Sequence, residues 1–203
     1  MSYAIIGSGK EGQALAKTFA RKGIEVTIAS RRPAEALAAV AKAIGPTVIP
    51  KSLQDAVKAD IILLAMPFGA QKEVAKAAES WHGKIVIDVT NAYGVSPEEL
   101  GNLPSSVVIA EAFPGANLVK AFNHLPAETL AEDPSIKGLR RVVFLAGDDG
   151  TAIAQTEALA EQLGFAPVKL GGLAQGALLI QAWGKTWAPL IFQDFFKQED
   201  KNV

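Results

Sequence analysis

Short apolar runs alternate with segments of helical periodicity through the first 80 residues of the chain. The runs at 3–7, 25–30, 47–50 and 60–67 are each followed by a stretch whose apolar residues recur at helical spacing, at 10–22, 33–43, 52–57 and 70–79. A continuous apolar run is typical of a strand that is buried on both faces, as in a parallel sheet that is covered by helices. The alternation therefore predicts an α/β fold with a doubly wound, mostly parallel sheet.

The pattern continues less regularly beyond residue 80. Further strands are predicted at 84–91, 106–113, 118–123, 140–147 and 166–171, with a helix over 150–163 that ends at Gly164. A chain of 203 residues is long enough for one such domain and too short for two full ones. We assign 1–171 to the α/β domain and 172–203 to a C-terminal helical extension of the same domain.

A glycine-rich loop follows the first predicted strand and opens the first predicted helix. It reads "GSGKEG" and consists of Gly7, Ser8, Gly9, Lys10, Glu11 and Gly12. The glycines match G-x-G-x-x-G, in which the first permits a tight turn, the second lets the backbone approach a diphosphate, and the third lets helix and strand pack closely. The loop predicts a dinucleotide site in a Rossmann-type fold. The alternative is a tight turn in an α/β protein that binds nothing.

The second predicted strand ends in "ASRR", which places Ser30, Arg31 and Arg32 at the position that reads the cofactor ribose. A protein specific for NAD is expected to carry Asp or Glu there, to accept a hydrogen bond from the 2′-hydroxyl. A hydroxyl and two guanidinium groups instead favour a 2′-phosphate, and therefore NADP(H). The alternative is a solvated turn before a helix. The two motifs reinforce each other because one NADP molecule would touch both.

Polar and small residues follow three later strands, where a parallel sheet forms its ligand crevice. Ala65, Met66, Pro67 and Phe68 follow the fourth strand, and Thr90 and Asn91 follow the fifth. We expect them to border the nicotinamide half of the cofactor by positioning it, although Thr90 and Asn91 fit a helix cap or a turn equally well.

Two histidines and one carboxylate are the remaining candidates for acid–base chemistry. His124 lies in another strand-end loop, where a lone histidine is more often structural than catalytic. His82, beside Trp81 and Gly83, is predicted to be a capping or surface residue, and Asp88 to be buried at a strand end. No catalytic residue is therefore assigned.

Composition excludes several classes of partner and site. Twenty basic and 21 acidic residues are interspersed and give a net charge of −1, which does not suit nucleic acid. The chain has no cysteine and only two histidines, so no metal site is predicted. The apolar stretch at 173–196 contains Gln175, Lys185 and Asp194, which are unfavourable in hydrocarbon. We expect a protein with no membrane span, and the cytoplasm is the default compartment.

The order of the motifs "GSGKEG", "SRR", "AMP", "DVTNA", "LVKAFNHLPA", "AGDD" and "GGL" resembles the family of coenzyme F-420-dependent NADP oxidoreductases. These single-domain reductases are related to the N-terminal domain of the STEAP metalloreductases. The resemblance extends over nearly the whole chain. It implies diphosphate binding at 8–12 and 2′-phosphate binding at 30–32. It also implies that the loops at 65–67 and 123–126, including Asn123 and His124, lie beside the nicotinamide.

The resemblance implies hydride transfer between NADP(H) and a deazaflavin, F-420, or a flavin such as FMN or FAD. Such a transfer is carried by the two ring systems, so the protein need only hold them together and requires no obligatory acid or base. Two pairs of residues depart from those common in the family. Lys10 and Glu11 change the side chains near the diphosphate, and Asn123 and His124 leave the identity of the small-molecule acceptor open. Two alternatives are an NADP(H)-binding redox sensor without turnover and a small carbonyl or imine reductase.

The C-terminal stretch is rich in aromatic residues. It contains Trp183, Trp187, Phe192, Phe195 and Phe196, more aromatic surface than a terminal helix needs for simple docking. It is predicted to close the acceptor pocket or to form a subunit interface, as in a homodimer. Burial against its own sheet is the alternative.

Overall fold

The computed structural model describes residues 1–182. Within them, eight strands form the main sheet: β1 Tyr3–Ile6, β2 Val26–Ala29, β3 Val48–Pro50, β4 Ile61–Leu64, β5 Ile85–Asp88, β6 Asn117–Ala121, β9 Val142–Gly147 and β10 Ala166–Lys169. A separate hairpin consists of β7 Ser135–Ile136 and β8 Leu139–Arg140. The helices are α1 Lys10–Arg21, α2 Ala38–Ile44, α3 Leu53–Ala56, α4 Gln71–Ala75, α5 Ser105–Glu111, α6 Ala127–Ala131, α7 Gly150–Gln162 and α8 Gly176–Ile180, with a 3₁₀ turn at Ala34–Leu37.

The order of the strands identifies the place where a ligand crevice forms. The main sheet runs β10-β9-β6-β5-β4-β1-β2-β3, and β1 to β6 are all parallel. The chain builds one half of this parallel part from β1 to β3 and then reverses, adding β4 on the other side of β1. In open α/β sheets, ligands bind at such a reversal, outside the carboxyl ends of the strands. The loops after β1 and β4 meet there.

Residues along the strands alternate between two apolar layers. Ile5 packs with Leu15 and Phe19 of α1 on one face of the sheet, whereas its neighbours Ala4 and Ile6 pack into the layer on the other face. Because both faces are covered by helices, the strands are predominantly apolar, with Asp88 of β5 and Lys120 of β6 as buried exceptions. The predicted fold class, a doubly wound and mostly parallel α/β sheet, is confirmed.

One predicted strand is wrong. The segment 106–113, "SVVIAEAF", lies in and just after α5 instead of in a strand. Its β-branched residues favour a strand, but Ser105, Ile109 and Phe113 are buried at helical spacing and Pro104 precedes the first turn. Parallel neighbours such as β5 and β6 need a crossover connection, and a helix supplies it. Tertiary context therefore overrides local propensity here.

The last two strands of the sheet run against the others. β9 pairs antiparallel with β6, and β10 pairs parallel with β9. The "AGDD" turn therefore lies at the edge opposite the crevice, where Asp149 caps α7 by accepting from the Ala152 N–H at 2.7 Å. None of the helices within residues 1–182 is long and apolar enough to cross a membrane.

Candidate functional site

The three glycines of the loop after β1 have different surroundings. A Cβ on Gly7, whose φ is +131°, would lie 2.0 Å from the Ala65 carbonyl oxygen. A Cβ on Gly12 would lie 1.9 Å from the Gly7 carbonyl oxygen, where α1 crosses the loop. Gly9 has no atom within 4 Å of such a Cβ. Close packing therefore requires Gly7 and Gly12, whereas the backbone at Gly9 faces open space that a ligand can approach.

The start of α1 has no side chain that caps it. Gly9 is the N-cap residue and makes no side-chain hydrogen bond, so the first-turn amides have no side-chain acceptor from it. Gln13 holds the loop from behind, because its Nε2 donates to the Ser8 carbonyl at 2.9 Å. Free amides at the positive end of a twelve-residue helix provide a suitable environment for an anion.

The arginine cluster after β2 lies directly beside this loop. Arg32 Nη2 donates to Ser8 Oγ at 2.9 Å, and the Arg32 backbone N–H donates to Ser30 Oγ at 3.1 Å. Arg31 forms an exposed ion pair with Glu73 of α4, with 3.8 Å between Nη1 and Oε2. Since β4 and β2 flank β1, this pair crosses the carboxyl end of β1. The two motifs that the sequence linked to one cofactor are therefore adjacent in space.

These elements form a cleft of about 320 Å³ at the reversal of the sheet. Most residues that the sequence predicts as cofactor contacts line it: Gly7, Ser8, Gly9, Ser30, Arg31, Arg32, Ala65, Met66 and Pro67. Sequence reasoning missed Leu53, Ala70, Glu73 and Val74, which also line it. Nothing local in the sequence marks them, because they reach the cleft through the packing of α3 and α4.

A second pocket, of about 300 Å³, lies on the other side of the glycine loop. It is lined by Lys10, Glu11, Tyr93, Asn123, His124, Leu125, Pro126, Ala127 and Glu128. The predicted contacts Lys10, Glu11, Asn123 and His124 thus lie together here and not in the cleft. Gly12, Thr90 and Asn91 line neither space.

His124 is buried and uncharged near neutral pH. Its Nε2 lies 3.4 Å from the Val142 carbonyl oxygen. A carbonyl can only accept, so Nε2 carries the proton in this contact. The ring packs against Phe144, with centroids 5.0 Å apart. Burial lowers the pKa of His124 from 6.5 to about 4, because it disfavours the charged imidazolium.

Thr90 belongs to a buried ion-pair network beneath the crevice. Lys120 Nζ lies 2.9 Å from Asp88 Oδ2, and both side chains are fully buried. Asp88 Oδ1 accepts from the Thr90 hydroxyl at 2.7 Å and from its backbone N–H at 2.9 Å. Lys120 also donates to the Thr90 carbonyl oxygen. The Thr90 side chain is therefore occupied by Asp88, and Lys120 holds the ends of β5 and β6 together. Asp88 lies buried at the end of β5, as the sequence predicts.

The two asparagines connect the strand-end loops with the segment around α8. Asn91 Nδ2 donates to the Asn123 carbonyl at 2.8 Å. Asn123 Nδ2 donates to Asn91 Oδ1 at 3.0 Å and to the Ile180 carbonyl at 2.7 Å. Gln181 Oε1 accepts from the Ser105 backbone N–H at 2.7 Å. Residues 180 and 181 are thereby fastened across the carboxyl ends of β5 and β6. The aromatic residues at 183–196 lie outside the described residues.

Other candidate groups lie away from these spaces. His82 is exposed, and its backbone N–H donates to Ser80 Oγ at 3.2 Å. Within residues 1–182, no three side chains of His, Asp or Glu are arranged to hold a metal ion.

The cleft fits a phosphorylated dinucleotide. Gly9 leaves space for a diphosphate at the start of α1, and two guanidinium groups lie next to that space. The residues that directly follow β2, Ser30, Arg31 and Arg32, include no carboxylate of the kind that would accept from a 2′-hydroxyl.

Comparisons with known proteins agree with this geometry. Residues 2–92 match the family described as coenzyme F-420-dependent NADP oxidoreductases. A solved structure of a hypothetical protein from Sinorhizobium meliloti is 38% identical, with a TM-score of 0.90 over 96% of each chain. A candidate F-420-dependent NADP reductase from Arthrobacter sp. is 25% identical, with a TM-score of 0.70 over 85% of this chain and 86% of its own.

A more distant neighbour shares the fold alone. The reductive aminase of Aspergillus terreus, solved with NADPH, is 20% identical, with a TM-score of 0.63 over 87% of this chain and 56% of its own. A comparison with curated proteins gives no match. From the family match over residues 2–92 and the candidate F-420-dependent NADP reductase, together with the glycine loop and arginine cluster, we conclude that the chain is an NADP-dependent oxidoreductase related to the family of coenzyme F-420-dependent NADP oxidoreductases.

Proposed function

We propose that the protein binds NADPH in the cleft and transfers hydride to a flavin or deazaflavin acceptor. The observation that carries the proposal is the contact between the two cofactor motifs, Arg32 to Ser8 at 2.9 Å. It places a guanidinium group next to the glycine loop, so that one dinucleotide can meet the loop with its diphosphate and the arginines with its 2′-phosphate. When bound, NADPH supplies the hydride. The protein's own residues bind and orient it.

The cleft residues divide this binding between them. The backbone at Ser8–Gly9 and the first amides of α1 hold the diphosphate by hydrogen bonds and by the helix dipole. Ser30, Arg31 and Arg32 hold the 2′-phosphate, since planar guanidinium groups match phosphate oxygens. Met66 and Pro67, at the end of β4, border the cleft on its other side.

The second pocket is proposed as the acceptor site because consecutive residues of the glycine loop line it and the cleft. Lys10 and Glu11, which line it, directly follow Gly9 of the cleft. The neutral state of His124 supports a mechanism without an obligatory imidazolium donor. We expect His124→Ala to raise the acceptor KM with little change in kcat, whereas loss of an essential general acid lowers the rate about 10²–10⁴-fold. A thousandfold fall in kcat, with both substrates still bound, would favour a carbonyl or imine reductase.

Cofactor preference is tested by calorimetric titration with NADPH and NADH. Arg31→Ala removes one charge-assisted contact and should weaken NADPH binding about tenfold or more, while leaving NADH nearly unchanged. Lys72→Ala is the matched control, because Lys72 is an exposed cation on α4 that does not line the cleft. Equal losses for both cofactors would contradict the assignment.

The acceptor is tested by following NADPH oxidation with F-420, FMN, FAD, riboflavin and ferric chelates. Oxidation by at least one flavin or deazaflavin is the expected result. Stoichiometric NADPH binding with no oxidation by any of them would favour a redox sensor without turnover.

A further inference from the structure

Glu11 is an acidic residue in the first turn of α1, and its side chain is partly buried. It directly follows Lys10, the first residue of the helix, so its own backbone N–H is one of the amides at the positive end of α1. Within residues 1–182, Glu11 Oε2 is buried and has no hydrogen-bond partner. A buried carboxylate oxygen without a partner makes the charged form unfavourable, and most buried polar atoms in folded proteins are hydrogen-bonded. The negative charge of Glu11 is therefore poorly compensated.

The surroundings of Glu11 favour its protonated form. The charged and titratable groups that line the same pocket are Lys10 of its own helix, Glu128 of α6, Tyr93 of the loop after β5 and His124 of the loop after β6. Lys10 is exposed, so water screens its charge, and His124 is buried and uncharged. Burial raises the pKa of the Glu11 carboxyl, the Ala127 backbone N–H partly opposes this shift, and the negative charge of Glu128 adds to it.

The proposed diphosphate site lies at the same end of α1 as this carboxylate. The first amides of the helix, including that of Glu11, are the groups that hold the diphosphate in the proposed function. The Glu11 carboxyl carbon is only three bonds from Cα, so a diphosphate on these amides lies within about 10 Å of it, about one Debye length at roughly 0.1 M salt. The positive end of the helix favours the Glu11 anion in the free protein, and bound diphosphate takes over that interaction. The two anions therefore oppose each other.

We propose that binding of NADP(H) at the start of α1 is coupled to the uptake of a proton from solvent by Glu11. Protonation removes the repulsion between the carboxylate and the diphosphate, so the cofactor binds more tightly to the protonated protein. By linkage, the affinity for the cofactor falls as the pH rises through the range in which Glu11 titrates. The coupling acts through charge and requires no contact between Glu11 and the cofactor. The inference rests on the proposed function, because it assumes that the diphosphate lies at this helix end.

Calorimetric titration with NADP⁺ at two pH values tests the coupling. Glu11→Gln keeps the shape of the side chain and an oxygen that can accept from the Ala127 N–H, but it has no charge. The 2′-phosphate of the cofactor also titrates in this range, but it contributes equally to both proteins and cancels in the ratio of their Kd values. Glu11→Gln should bind NADP⁺ about fivefold more tightly than wild type at about pH 8, and about twofold more tightly near about pH 5.5.

Proton uptake is measured directly by repeating the titration near about pH 6 in buffers of different ionisation enthalpy. Wild type should take up a few tenths of a proton more per NADP⁺ than Glu11→Gln. Glu128→Gln removes the neighbouring charge that raises the pKa of Glu11 and should lower the uptake, which tests the coupling even if Glu11→Gln does not fold. Glu98→Gln is the control, because it removes an exposed carboxylate that lines neither the cleft nor the second pocket and should follow wild type.

Two results would overturn the inference. One is a ratio of Kd values between wild type and Glu11→Gln that is the same at both pH values. The other is a proton uptake that neither Glu11→Gln nor Glu128→Gln changes. Failure of the proposed function is distinguishable, because it appears as an absence of NADP⁺ binding at both pH values, whereas failure of the inference leaves binding whose pH dependence does not involve Glu11.

Discussion

His124 is expected to make the free energy of unfolding fall as the pH drops from neutral toward 4.5. Burial lowers the pKa of the folded imidazole from 6.5 to about 4, while the unfolded chain titrates near the ordinary value. The unfolded state therefore binds a proton that the folded state does not. This contribution is fully present above pH 6.5 and is lost as the pH falls toward 4. Because one pH unit between the two pKa values corresponds to about 1.4 kcal/mol, the loss reaches about 2.5 kcal/mol near pH 4.5.

Urea unfolding followed by circular dichroism, at steps from about pH 7.5 to about pH 4.5, measures this dependence. His124→Phe removes the titration and keeps an aromatic ring against Phe144. Its unfolding free energy should therefore fall less between these pH values than that of the wild type. His82→Gln, which removes an exposed imidazole, should follow the wild type. Carboxyls such as Asp60, whose pKa is lowered by a hydrogen bond from the Ser2 backbone N–H, contribute equally to the pH dependence of the unfolding free energy in all three proteins. Parallel pH dependences in wild type and His124→Phe would refute the reasoning.

Four further substitutions probe the cleft and the layer beneath it. Glu73→Gln removes a carboxylate from the cleft rim and should tighten NADPH binding about two- to fivefold without affecting NADH, as measured by calorimetry. Gly12→Ala, whose Cβ would lie 1.9 Å from the Gly7 carbonyl oxygen, should destabilise the fold by about 2 kcal/mol or more, whereas Gly9→Ala should stay within about 1 kcal/mol of wild type in urea unfolding. Lys120→Met leaves a buried carboxylate unpaired and should lower the unfolding free energy by about 3–5 kcal/mol. A loss below about 1 kcal/mol would contradict the buried ion pair.

The fold was predictable where the signal is local and repeated. Each strand from β1 to β6 is a predominantly apolar run of four or five residues, apart from the three-residue β3, and a helix precedes or follows it. The antiparallel pairing of β9 with β6 was not predictable, because an apolar run has the same pattern in either direction. The helix α5 was missed for a related reason. Its β-branched residues favour a strand locally, and only the need for a crossover connection between β5 and β6 makes the segment helical.

The residues of the candidate site likewise fall into those with a local sequence signal and those without one. The glycine loop could be predicted residue by residue, because the spacing of Gly7, Gly9 and Gly12 fixes one turn within a single segment. The cluster at 30–32 could be predicted because its role depends on its place at the end of one strand. Glu73 had no such signal, since its place beside Arg31 depends on how α4 packs over the sheet.

Thr90, Asn91, Asn123 and His124 show why strand-end position alone is not sufficient. All four follow parallel strands at the crevice edge, where the strand-end rule selected Thr90 and Asn91 and the family resemblance implied Asn123 and His124. Thr90 is engaged by Asp88 and Lys120, and Asn91 bonds to the Asn123 carbonyl and amide, so their polar groups serve the protein itself. Asn123 and His124 each keep one buried acceptor without a partner. The difference lies in partners distant in sequence, Ile180 for one and Val142 for the other, which occupy one polar atom and leave the other unpaired. Ligand contacts at such an edge are therefore better sought among side chains with an unpaired polar atom than among all residues that follow a strand.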